Sequence, residues 1–238
     1  MSYADYRSRV IAAQDQWNRE RDQIATEQAG VDFPGEFEPP AIAAPDNYDS
    51  MTLAQMVDAV NGMRPDTVRQ AAEAWQRIAT AVTTHATDFN HQFQRTIAGD
   101  GVHQGWSGQA ARAASEAVNN YTVQSQLFAD AATIVYRTLA QLHTGLNQTR
   151  ALMPQATQSV DPRDKKLPEG GVMKAGDFTE QEATEEGRRV LRTVYGQVVT
   201  QADHGVPVLP TPKPLAADRP SPQGPTVPPV LGEDGVHG

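Results

Sequence analysis

The run DTVRQAAEAWQRIATAVTTHATDFNHQFQRTIA (residues 66–98), the break GDGVHQGWSG (99–108) and the run from Gln109 to Met153 decide the fold of this chain. In the first run Val68, Ala72, Trp75, Ala79, Val82, Ala86, Phe89, Phe93 and Ile97 alternate steps of four and three almost without a slip. That spacing keeps one apolar stripe on one side of a helix. The second run carries a similar stripe through Ala114, Ala117, Tyr121, Phe128, Ala131, Val135, Leu139, Leu142 and Leu146. At about 1.5 Å per residue the helices would be roughly 50 and 65 Å long, and neither is stable in water unless its stripe is covered. A short connection between long helices makes them antiparallel neighbours, so the reading predicts a helical hairpin with residues 99–108 at its tip. Alanine fills much of the seam, which lets the axes approach closely. The same reading expects Trp75, Phe89, Phe93, Tyr121 and Phe128 to dominate stability, with Phe89 or Phe128 the costliest to truncate.

Working outward, SMTLAQMVDAVNGM places Leu53, Met56, Val57 and Val60 on one face and predicts a helix over about 50–62, stopped by Gly62, before Pro65 opens the long helix. Upstream, Tyr3, Tyr6, Val10, Ala13, Trp17 and Ile24 form a stripe that predicts a helix over about 3–28. The intervening VDFPGEFEPPAIAAPDNYD is broken by Pro, Gly, Asp and Asn and reads as a surface loop anchored by Phe33 and Phe37. Beyond Pro154 a polar linker leads to Asp177 and Glu180, spaced as a capping box, and to a last helix over about 178–202. From Gly205 onward nine prolines and almost no aromatic residues predict a disordered tail over 205–238. The expected architecture is therefore all-α: an elongated helical bundle over 1–204 followed by that tail.

The whole chain excludes several functions. A net charge of −9 with no basic stripe opposes binding to nucleic acid or anionic lipid. No run approaches the roughly 18 apolar residues that span a bilayer, and MSYADYRSRV lacks the apolar core of a secretory signal. The absence of cysteine removes disulfides, thiolate metal sites and cysteine nucleophiles together. His85, Asp88 and His91, with His103 beyond, do not have metal-motif spacing, since i and i+6 lie about 240° apart on a helix. Glu180, Glu182, Glu185 and Glu186 suit the first turns of a helix, where they favour the macrodipole. No phosphate loop or nucleophile–base set has a supporting context, so the expectation is a non-enzyme with no metal and no cofactor.

The segment Gly105-Trp106-Ser107-Gly108 is the most informative short motif. Its glycines allow a sharp turn, Trp106 has the area to cover the end of the seam, and Ser107 can cap the helix behind it. A bare Trp-x-Gly is common. Set between two long helices and followed by the small-residue run Gln109-Ala110-Ala111-Arg112-Ala113-Ala114, it resembles the WxG superfamily of actinobacterial type VII (ESX) secretion, and within it the PPE and EspB-type secreted substrates. The resemblance spans about residues 1–210.

It implies a secreted or cell-envelope-associated, virulence-associated protein without a cleavable signal, acting by protein binding or self-assembly. Residues Gly105, Trp106, Ser107 and Gly108 would form half of an export signal read by the secretion ATPase. The family's other half, Tyr-x-x-x-Asp/Glu, is missing: four residues after Tyr3, Tyr6, Tyr48, Tyr121, Tyr136 and Tyr195 stand Arg7, Val10, Thr52, Ser125, Ala140 and Val199. The Pro-Pro-Glu signature is also absent, with Glu38-Pro39-Pro40 in reversed order. The implied partners are a PE-like or small WxG-type helical protein that brings the missing half, or further copies of the chain, together with a cytosolic chaperone. Tyr3, Tyr6, Val10 and Trp17 are the candidate partner-binding residues. Two other readings stand beside this one: a helical targeting or adaptor head for a separately encoded toxin or enzyme, and a cytoplasmic helical scaffold.

Overall fold

The computed structural model describes residues 33–44, 46–99, 105–154 and 180–211, together with Ser8, Ala12, Asp15, Gln16, Arg19, Glu20 and Gln23. It is mostly helical, and no β-strand occurs among the described residues. A 3-10 turn at Tyr48–Ser50 precedes α1 (Leu53–Gly62), α2 (Pro65–Ala98), α3 (Gln109–Leu152) and α4 (Glu180–Val190). A π-helical turn, Leu191–Tyr195, then carries α4 without a break into α5 (Gly196–His204).

Local chemistry sets most of these boundaries. Thr52 accepts the Gln55 backbone N–H while the Gln55 side chain accepts the Thr52 N–H, a reciprocal capping box that starts α1 at Leu53. The expected start near Ser50 is therefore corrected: Tyr48–Ser50 closes a tighter turn first. Pro65 occupies the first turn of α2, where its missing N–H is not needed. Gly62 ends α1. Asp177, the expected cap of the last helix, lies outside the described residues.

The two long helices make the most extensive contact in the molecule. The Trp106 backbone N–H donates to the Ile97 carbonyl at 3.0 Å, and farther from the connection Phe89 meets Tyr121 edge to face at 5.6 Å. Residues increasingly distant in sequence face each other, so the chain directions are opposed. Ala72, Ala79 and Ala86, seven apart on α2, are buried, as are Ala111, Val118, Ala129 and Ala132 on α3. Such small side chains permit close axes.

On its other side α3 packs against the π-turn and α5. A Cβ on Gly145 would lie 2.6 Å from Val198 Cγ1, so the helices touch backbone to side chain at that level. Thr138 Oγ1 donates to the Gly205 carbonyl at 3.2 Å, and Thr149, fully buried, satisfies its hydroxyl on the Gly145 carbonyl at 2.8 Å. At the end of α3 remote from Trp106, Leu152 and Met153 join Leu53, Met56 and Val60 of α1 and Ala183, Val190, Leu191 and Val194 in one core.

The location of this core corrects the expectation about aromatic residues. Phe89 is 39% and Tyr121 36% exposed, and neither Trp75, Phe93 nor Phe128 is fully buried. Trp75, Phe93 and Phe128 are half-buried, while alanines occupy the buried positions of the α2 stripe. The largest fully buried side chains are Met56, Leu152, Val60, Val190 and Val198.

Residues 205–208, read from the sequence as the start of a disordered tail, are instead tied to the rest of the molecule. The Glu38 N–H donates to the Val206 carbonyl and the Val208 N–H to the Glu36 carbonyl, both at 2.8 Å, with Phe37 and Pro207 facing each other. The Asp203 carboxylate accepts from the Ala41 and Ile42 N–H groups at 3.1 and 2.9 Å, fixing the loop to the end of α5. Phe33 and Phe37 stack edge to face at 5.9 Å, with Phe37 itself exposed. Of the segment read as a helix over 3–28, the seven described residues are helical and all but Glu20 are exposed. The stripe of Tyr3, Tyr6, Val10, Ala13, Trp17 and Ile24 lies outside the described residues.

Two measurements test this packing. Leu152→Ala should cost about 2–5 kcal/mol in chemical denaturation, and Phe89→Ala clearly less, since only the former leaves a sealed cavity. Tyr48 is buried beside Tyr195 and Asp46, and burial first, then the Asp46 charge, pushes its phenol up to about 12. A folded-state pKa above the ordinary 10 means a contribution that is complete below pH 10 and is lost as pH rises toward 12. Stability should therefore fall across that window by roughly 2 kcal/mol, and Tyr48→Phe should reduce this pH dependence, leaving the part due to Tyr195, whose phenol burial also pushes up.

Candidate functional site at the α2–α3 connection

The turn that joins the long helices is built from backbone constraints. α2 ends when Gly99 takes a positive φ of 81°, its N–H returning to the Arg95 carbonyl at 3.1 Å. Residues 100–104 lie outside the described part of the chain. On the return, Gly105 lies so close to the end of α2 that a Cβ there would collide with the Ile97 and Ala98 carbonyl oxygens. The adjacent Trp106 N–H makes the 3.0 Å bond to the Ile97 carbonyl. Glycine at 105 is thus required by the approach of two backbones.

Gly108 is the cap of α3, with φ 86° and ψ −165°, a region open essentially to glycine alone. Its carbonyl accepts the Arg112 N–H at 3.3 Å. This corrects the role expected for Ser107: α3 has no side-chain cap, and Ser107 is exposed one residue too early to provide it. The turn is made by glycine conformations, where the sequence suggests hydroxyl capping.

Trp106 is 58% exposed, the second-highest value among the exposed large apolar residues, after Val123. Its backbone is fixed on Ile97 while most of its indole faces solvent. With Ile97 and Ala111 it borders an open groove of about 670 Å³, whose other wall is polar: Arg112, Ser115, Glu116, Asn119 and Asn120. That polar wall was not singled out from the sequence, although the signal is there. Steps of three and four from Arg112 to Asn119 place these residues on one face in the first turns of α3.

The four residues Gly105–Gly108 are therefore together at one end of the paired helices. Tyr3, Tyr6, Val10 and Trp17, the other candidate set, lie outside the described residues. His85, Asp88 and His91 are all exposed on α2, and among the described residues no group of three metal-ligating side chains comes together. Glu185 and Glu186 are engaged in ion pairs with Arg188 and Arg189 at 2.8 and 2.7 Å. No helix among the described residues is long and apolar enough to cross a membrane. No known protein family, curated protein or solved structure matches the chain.

Thermal unfolding tests the construction of the turn. Ser107→Ala should leave stability within about 0.5 kcal/mol, whereas Gly108→Ala should lower it by about 1–3 kcal/mol through backbone strain.

Proposed function

We propose that this chain is a secreted substrate or secretion-associated protein of a type VII (ESX) system, acting through protein–protein interaction or self-assembly. In this reading α2 and α3 are the arms of a WxG-type helical hairpin, and Gly105–Gly108 at its tip are half of an export signal. The supporting observation is the exposed indole of Trp106 on an immobilised backbone. A large aromatic side chain that contributes little to the core, carried on a turn requiring glycine at 105 and 108, has the character of a recognition anchor.

The absence of an acidic residue four places after any tyrosine assigns the second half of the signal to a partner. A PE-like or small WxG-type helical protein, or another copy of the chain, would supply it. Phe89, Tyr121 and Val123, exposed on the tip-proximal part of α2 and α3, give such a partner apolar surface beyond Trp106. The secretion ATPase would then read the composite tip, and the proline-rich residues beyond 211 would form an unfolded tail.

Trp106→Ala should abolish export from a host with an intact ESX system while far-UV circular dichroism and melting temperature stay at the native values. Export at the native level, or equal loss of folding and export, would contradict the assignment.

A further inference from the structure

A second concavity lies far from the tip, where the Asp46–Asp49 segment faces the π-turn and α5. It encloses about 490 Å³ between Asp46, Asn47, Tyr48 and Asp49 on one side and Arg192, Gly196 and Gln201 among the residues on the other. Three features shape it. A π-turn widens the helix over Leu191–Tyr195, closing with the Gly196 N–H on the Leu191 carbonyl, and such turns cost helical stability and gather at functional sites. Gly196 follows immediately and leaves the floor open: a Cβ there would stand 3.2 Å from the Leu191 carbonyl oxygen and 3.5 Å from the Tyr48 hydroxyl. Tyr48 itself is held by core packing, with its oxygen reaching that floor.

The charges decide what fits. Arg192 and Asp49 neutralise each other at 3.0 Å across the cleft. Asp46 has no ion pair, and its carboxylate accepts no hydrogen bond among the described residues, so one uncompensated negative charge remains in the wall. The Tyr48 oxygen adds a neutral acceptor beside it, and Gln197, Thr200 and Gln201 complete a polar lining. A chain of net charge −9 attracts cations generally, and the cleft focuses that attraction.

We propose that this cleft binds an alkylammonium group, the ammonium seated on Asp46 and the Tyr48 oxygen and its methylene stem lying over Gly196. The group can come from a free alkyl amine or from a lysine side chain of another protein. The site is independent of the Trp106 tip, and its failure would leave the secretion reading untouched.

Titration of the full chain followed by amide chemical shifts tests it, with 1,5-diaminopentane in one arm and a lysine peptide beside its Nζ-acetylated form in the other. Saturable shifts at residues 46–49 and 192–201 should appear in at least one arm, and the responding arm names the source. Asp46→Asn should weaken binding at least tenfold, and Gly196→Ala, whose methyl would press toward the Leu191 carbonyl and the Tyr48 hydroxyl and narrow the floor, should weaken it more than threefold. Asp58→Asn, an exposed acid on α1, should change it less than twofold. No saturable shift in either arm, or native affinity in Asp46→Asn with helicity retained, would overturn the proposal.

Discussion

Small side chains on two opposite faces of α3 are the constraint on which the rest of the structure depends. Ala111, Val118, Ala129 and Ala132 are buried on one face of the helix, and Thr138, Gly145 and Thr149 lie on the opposite face, where Gly145 touches Val198 and Thr138 bonds Gly205. A helix covered on one face can carry large residues there and polar ones opposite. A helix covered on both must keep its neighbours close on each side, and here it does so with alanine, glycine and a threonine whose hydroxyl is satisfied within its own helix. Apolar bulk is moved to the end of α3, where α1 and α4 close over Leu152 and Met153.

The result is a molecule with unequal ends. Near Leu152 three helices, α1, α3 and α4, share with the π-turn a core rich in methionine, leucine and valine, while toward Gly105 the described residues show only α2 and α3 against each other. Stability is concentrated at one end and exposed apolar surface at the other. Little of the core depends on the Trp106 indole, which is more than half exposed. The π-turn packs into the core at the Leu152 end through its own buried Leu191 and Val194.

Much of this was legible in the sequence. Alternating steps of three and four located α2 and α3 to within a residue or two, and Pro65 and Gly62 marked boundaries for reasons that act locally. The position of the core was less legible. Ala72, Ala79 and Ala86 on the α2 stripe are buried, but of the stripe read on α3 only Ala131 and Leu146 are. The buried Ala111, Val118, Ala129 and Ala132 fall off it, because a helix covered on two faces has no single apolar stripe to read. Phe89 and Tyr121 fall on the stripe and are still over a third exposed, while Met56 and Val60, on a short helix, are sealed. The pairing of Val206–Val208 with Glu36–Glu38 joins segments far apart in the chain and has no local signal. At the connection, the glycine turn at Gly105 and Gly108 was visible, but Ser107 looks like a cap, and only the backbone angles show that Gly108 is one.

Amide hydrogen exchange across the whole chain tests the two-faced role of α3 most directly. Protection should be greatest in residues 138–152, 183–198 and 53–60 and should fall along α2 and α3 toward residues 86–98 and 109–125, where the described cover is one-sided. Uniform protection along both long helices, or fastest exchange in α1 and α4, would contradict the account.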